Sequence, residues 1–284
     1  MFFILRLALA TAALFLAYTC SSTIKVTSQF SNPETSDLQS SNLESLTRTA
    51  ERVLVDDLAF YVTNDESNLY VLVDFISSKT FQNAREFGFT FYVDGENSIR
   101  RSFGIIYPTG IYHQLGNYPG AQKGYLEEPN WSNFQENRGI KQTAERSSTQ
   151  NALLIQRQNR RDPMQPVSLP LTQFNAQNVR LYLDDDGRTG RISLTIPLQT
   201  RSTSQFSPDI KPGETIDLGF EIDPIRLHDM DMRSGAPLIT SETTGGRSQS
   251  ETDQENRERI NRLRMRMGEP YETWVKVTLS TRED

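Results

Sequence analysis

Between Tyr107 and Phe134 the chain sets Tyr112, Tyr118, Tyr125 and Trp131 among Gly, Pro, Asn, Gln and Glu, with neither strand nor helix periodicity. Flat aromatic faces stack on sugar rings while nearby amides and carboxylates bond the hydroxyls. Tyr112, Tyr118 and Trp131 are therefore the candidate ligand contacts. The same rings could instead cover an open edge of a sheet and form a satellite core. A second candidate is Asp184-Asp185-Asp186-Gly187. Clustered carboxylates suit calcium, which makes Asp184 and Asp186 candidate ligands. An EF-hand would need Glu at position 12 of its loop, where Thr195 stands, and a hairpin turn with Gly187 and Gly190 at positive φ accounts for the same residues. Arg157, Arg160 and Arg161 in RQNRRD form a basic patch suited to an acidic sugar or lipid head group, or a solvated loop.

Other chemistry finds little support. The two histidines, His113 and His228, are far apart, and with the one cysteine they leave few ligands for zinc or iron, so no cofactor is implied. Neither histidine lies beside a nucleophile elbow, and no catalytic residue is assigned. The expectation is a protein that is not an enzyme, with a carboxylate-pair hydrolase left open because such pairing is spatial. With 36 acidic against 30 basic residues the formal net charge is -6, which argues against a nucleic-acid partner.

The N-terminus addresses the chain. Arg6 precedes an apolar run from Leu7 to Ala17, about the length of a signal-peptide core and shorter than the roughly 20 residues of a membrane span. Cys20 stands where cleavage would fall, and a polar stretch follows it. The arrangement resembles a bacterial lipoprotein signal, in which the cysteine is lipidated and becomes the new N-terminus. It departs from that pattern in carrying Ala17 rather than Leu three places before Cys20, and Thr19 just before it, and the same residues fit an ordinary secretory signal or a short anchor left uncleaved. Residues 1–20 are thus expected to be a lipoprotein-like signal peptide, 21–50 a flexible tether, and 51–284 one domain with a mobile insertion at about 233–268. A single cysteine forms no internal disulfide, so stability rests on the core.

Several segments alternate as strands do. Leu58, Phe60 and Val62 share one face; Leu69, Val71, Val73 and Phe75 share another, with Tyr70 and Leu72 opposite. Further strands are expected at 87–93, 101–107, 179–183, 191–196, 215–222 and 273–279, with Asp94-Gly95 and Asp186-Gly187 as turns. Ser77–Glu86 reads as a polar connection, Pro163–Pro170 as an extended one, and Glu255–Met267 as a charged helix with Ile260, Leu263 and Met267 as its apolar stripe. Trp274 is expected as a core anchor. The fold class expected is all-β: an antiparallel β-sandwich with long loops and one short charged helix.

The stretches NLYVLVDF, FGFTFYVD and FGIIYPTG are similar to a group of exported bacterial proteins of unassigned function, whose fold resembles family 9 carbohydrate-binding modules and DOMON-type sandwiches. The resemblance implies an immunoglobulin-like sandwich in a superfamily of sugar and haem binders. Trp131 and Trp274 lie outside the stretches that carry it. Together these readings lead us to expect a non-catalytic, lipid-anchored protein of the bacterial cell envelope that binds a glycan. The alternative is a structural or assembly lipoprotein that contacts other envelope proteins.

Overall fold

The computed structural model describes residues 24–30, 50–96, 100–157, 164–223, 249–267 and 270–282, together with 159, 161, 162 and 226. Its centre is the run of alternating residues. β4 (Leu58–Asn64) and β5 (Asn68–Phe75) form an antiparallel hairpin, and β11 (Gly190–Pro197) pairs with the other edge of β5. β10 (Arg180–Asp185) closes that side, while β3 (Val53–Val55) and β2 (Gln29–Phe30) share the free edge of β4. A second sheet runs in the order β1 (Lys25–Thr27), β13 (Tyr271–Thr278), β12 (Thr215–Ile222), β6 (Thr90–Gly95), β7 (Phe103–Ile106), β8 (Asn151–Gln156) and β9 (Val167–Pro170). The protein is an all-β sandwich, as expected.

Period two decides which side chains fill it. Leu58, Phe60, Val71, Val73, Phe91, Val93, Ile192, Leu218, Phe220 and Val275 all point into one core. Phe220 is its hub, with ring centroids 5.1 Å from Phe60, 5.5 Å from Phe91 and 6.1 Å from Phe89. Each fully buried ring of this kind contributes about 2 kcal/mol.

Helices are more numerous than the single charged one expected. Ser78–Phe87 is α1, not a plain connection. Ser77 caps it by accepting the Thr80 N–H, and Phe81, Ala84 and Phe87, three residues apart, send one face into the core. The aromatic stretch is helical as well: α2 (Ile111–Leu115), α3 (Ala121–Glu127), a short 3₁₀ turn at Trp131–Asn133, and α4 (Gln135–Gln150). Gly110 admits this layer: at φ 86, a Cβ there would lie 2.5 Å from the Phe87 carbonyl carbon. α5 (Leu171–Ala176) buries Phe174. α6 (Gln249–Met267) lies in sequence between the paired strands β12 and β13 and docks through the fully buried Leu263.

The sandwich also reaches back into residues read as tether. β1 pairs in parallel with β13 in one sheet and β2 with β4 in the other, so two parallel pairs supplement the antiparallel pattern. Ser28, at the crossover, is buried with Asn64 and Ser280. Its hydroxyl donates to Asn64 Oδ1, Asn64 Nδ2 donates to the Ser280 carbonyl at 2.9 Å, and the Ser280 N–H donates to Ser28 Oγ at 2.9 Å. Cys20, His228, residues 31–49 and residues 233–248 of the expected insertion lie outside the described residues.

Candidate functional site

Strand register lays out the outer face of the six-stranded sheet in rows. One row runs Arg180, Thr195, Tyr70, Thr63; the next Tyr182, Ser193, Leu72, Tyr61; the third Asp184, Arg191, Asp74, Ala59. These are the alternate positions to the core residues and so face away from it. Tyr70 and Leu72 are nonetheless buried, packed with half-buried Tyr61 into a small apolar floor. Tyr182, at the rim of that row, is 50% exposed. The second row therefore ends in an open aromatic ring.

Where the first row meets the ends of its strands there is a cavity of about 210 Å³. Its walls are Asn68 and Tyr70 of β5, Thr195 of β11, Asn178 and Arg180 at the start of β10, and the segment 199–204 with Arg201. Hydroxyls, amides and guanidinium groups line it, and among the described residues no Asp or Glu does. Behind the wall Tyr70 donates to Asp65 Oδ2 at 2.6 Å, and Asp65 Oδ1 accepts the Ser67 and Asn68 N–H groups at 2.6 and 2.7 Å. Burial, reinforced by the Asp65 hydrogen bond, pushes the Tyr70 hydroxyl well above its ordinary range, so it stays neutral. The opposite wall is tied down too. Asn178, at φ 60, donates to Ser204 Oγ at 2.9 Å and to the Thr203 carbonyl at 3.3 Å, and Arg201 and Ser204 exchange two backbone bonds of 3.0 Å. The cavity is preformed, and its groups suit a polar ligand with many hydroxyls.

The residues singled out from sequence sit elsewhere. Tyr112 and Trp131 are buried at 4% and 6% exposure, and Tyr118 is half-buried. Trp131 packs with Ile111, Leu115, Ala121 and Ala144, edge-on to Tyr125 at 5.8 Å, and Tyr118 joins that cluster from outside. Tyr112 faces Phe87 at 6.3 Å; burial pushes its hydroxyl up to about 12. Tyr112 and Trp131, so enclosed, offer no face to a sugar in this conformation, while Tyr118 keeps part of its surface open.

The carboxylate run straddles the end of β10 and the turn into β11, with Asp184 and Asp185 in the strand and Asp186 in the turn. Asp186 Oδ1 accepts the Arg188 and Thr189 N–H groups at 2.8 and 2.7 Å, bonds that hold its carboxyl below the usual range. Asp185 Oδ1 accepts the Gly187 N–H at 2.8 Å, Gly187 has φ 85, and exposed Asp184 points outward. Among the described residues no three His, Cys, Asp or Glu side chains converge as a metal-binding group.

Trp274 lies on the outer face of the seven-stranded sheet instead of in the main core. A Cβ on Gly219 would lie 2.7 Å from its ring, and one on Gly104 would lie 2.8 Å from Tyr92, so both rings rest flat over glycines, 5.8 Å apart with planes within 15°. Arg101 covers both rings and bridges Glu221 at 3.0 Å and Glu272 at 2.8 Å; Arg226 reaches the same two carboxylates at 3.4 and 3.6 Å. Burial raises Glu221, with Arg226 and Arg101 opposing that shift. These carboxylates neutralise arginines over a covered aromatic floor.

Sequence reading missed Arg180, Tyr182, Thr195 and Arg201. A signal existed in RLYLD, where Arg180 and Tyr182 alternate with the inward Leu181 and Leu183. What could not be read was that β11 and β5 carry Thr195 and Tyr70 into the same row.

No protein-family model matches the chain, and no curated protein matches its sequence. Among solved structures it is similar to a family 9 carbohydrate-binding module from Caldicellulosiruptor kristjanssonii in complex with glucose, at 8% identity over 70% of this chain and 78% of that one, with a TM-score of 0.31. It is also similar to a candidate carbohydrate-binding protein from Bacteroides uniformis, at 8% identity over 70% of this chain and 84% of that one, with a TM-score of 0.36. Identity this low and superposition this loose transfer neither a ligand nor a residue role.

Proposed function

We propose that this protein is a non-catalytic glycan-binding protein of the bacterial cell envelope, held to a membrane through a lipid on Cys20. The observation that carries the binding role is the preformed cavity on the outer face of the six-stranded sheet. Hydroxyl, amide and guanidinium groups line it, and the half-exposed ring of Tyr182 stands two residues along β10 from Arg180. Sugar hydroxyls find neutral donors and acceptors there in Asn68, Thr195 and Asn178, and a sugar ring could lie on the Tyr182 face. Export and anchoring rest on the apolar run at residues 7–17, its basic Arg6 and the position of Cys20.

The test is binding of the purified full chain to a polysaccharide panel, beside Tyr182→Ala. Loss of one stacking ring should weaken binding roughly tenfold, about 1.4 kcal/mol, with the unfolding midpoint kept because the ring is half exposed. A full panel without binding, or a variant that binds as well as the parent, would remove the site. For the anchor, Cys20→Ser should move the protein from the membrane to the soluble fraction and abolish incorporation of labelled palmitate. Retention of both would refute lipidation.

A further inference from the structure

We infer that the glycan taken by this cavity is acidic, a saccharide carrying carboxylate or sulfate groups; the inference rests on the glycan reading of the same site. Arg180 and Arg201 both line the cavity, one from β10 and one from the 199–204 segment. Both are exposed, and among the described residues neither has a carboxylate partner, whereas Arg101, Arg191, Arg226, Arg262 and Arg266 are each ion-paired. In a chain of net charge -6, these two guanidinium groups border one pocket in whose wall, among the described residues, no Asp or Glu stands. Asp65, behind Tyr70, is committed to the Tyr70 hydroxyl and to two backbone N–H groups of its own turn. It therefore offers an incoming anion little repulsion.

The geometry separates the two halves of such a ligand. Thr195, Asn68, Asn178 and the Ser204 side take hydroxyl groups, while the planar guanidinium forks take carboxylate or sulfate oxygens two at a time. A neutral sugar would take from both cations only hydrogen bonds to uncharged hydroxyl oxygens, weaker than those to an anion. An acidic one exchanges their hydration for charge-assisted bonds. The fixed backbone of the 199–204 segment, held by Asn178 and the Arg201–Ser204 bridge, keeps Arg201 aimed at the pocket.

The experiment uses matched pairs of polymers on the full chain: polygalacturonate against its methyl ester, hyaluronan against its methyl ester, and dextran sulfate against dextran, with inorganic phosphate as a free-anion arm. The charged member of at least one pair should bind tenfold or more tightly than its neutral twin, and the ratio should shrink between about 0.05 M and about 0.5 M salt. Arg180→Gln/Arg201→Gln should bring the ratio close to one with an unchanged unfolding midpoint, and Arg180→Lys/Arg201→Lys should keep part of it. Equal affinity for charged and neutral members, or a preference that survives the Gln pair, overturns the acidic assignment and leaves the glycan reading standing. Phosphate binding as tightly as any polymer would make the pocket a simple anion site and overturn the assignment as well. A panel in which no polymer binds, charged or neutral, would sink the glycan reading and this inference with it.

Discussion

Trp131 shows how one residue can be read two ways until its neighbours are known. In sequence it is an aromatic ring in a polar, Gly- and Pro-rich stretch; in the fold its indole fills the space that Gly124 leaves, where a Cβ would come within 2.3 Å of Nε1. The ring is a structural wedge between helices. Trp131→Ala should accordingly cost about 3–5 kcal/mol in urea unfolding, the range for emptying a large buried aromatic site. A variant that kept full stability would show the ring to be dispensable for packing. At the opposite extreme stand Arg180 and Tyr182, exposed and made significant only by which residues lie across from them.

At the scale of elements, the helices were the least legible part. α1 carries the spacing of a core-facing helix in Phe81, Ala84 and Phe87, but polar residues between them hide it in a short window. The charged helix α6 was visible from its ends and stripe, though its docking owes as much to charge as to Leu263. Arg266 pairs with Glu86 at 2.6 Å, donates to the Tyr125 carbonyl at 2.6 Å and lies 4.1 Å over the Tyr125 ring; Arg262 pairs with Glu127 at 2.9 Å. Burial pushes Glu86 upward and Arg266 opposes it. Removing Arg266 leaves that carboxylate buried with its cation gone, at a cost of about 2 kcal/mol. Arg266→Ala should raise hydrogen exchange roughly tenfold or more across 249–267 while leaving β4 and β5 protected. Uniform exchange over the whole chain would mean instead that α6 opens only with global unfolding.

For the molecule as a whole, the two sheets are joined at one end by the buried polar group of Ser28, Asn64 and Ser280, contributed by three distant parts of the chain. Asn64→Ala would take the acceptor of the Ser28 hydroxyl and the amide donor of the Ser280 carbonyl while the Ser280 N–H keeps Ser28 Oγ, and a fall of about 1–3 kcal/mol in unfolding free energy is expected by thermal or denaturant melting. An unchanged midpoint would show that water replaces the amide at no cost. The same end of β4 and β5 leads through Asp65 to the cavity, so this staple also fixes the site's floor. Period-two alternation already implies a sandwich, because it decides which face of each strand is buried wherever strands pair. The β10–β11 and β4–β5 hairpins follow from turn residues that act locally. Which strands lie side by side, and with that the row of Arg180, Thr195 and Tyr70, emerges from packing in three dimensions. Register between residues more than a hundred positions apart leaves no local trace in composition or spacing, since it is settled by the packing of the other face. For the same reason the aromatic stretch could be read as a ligand face or as a satellite core, and the fold buries Tyr112 and Trp131: burial belongs to the contacts a ring makes and not to the residues beside it in the chain.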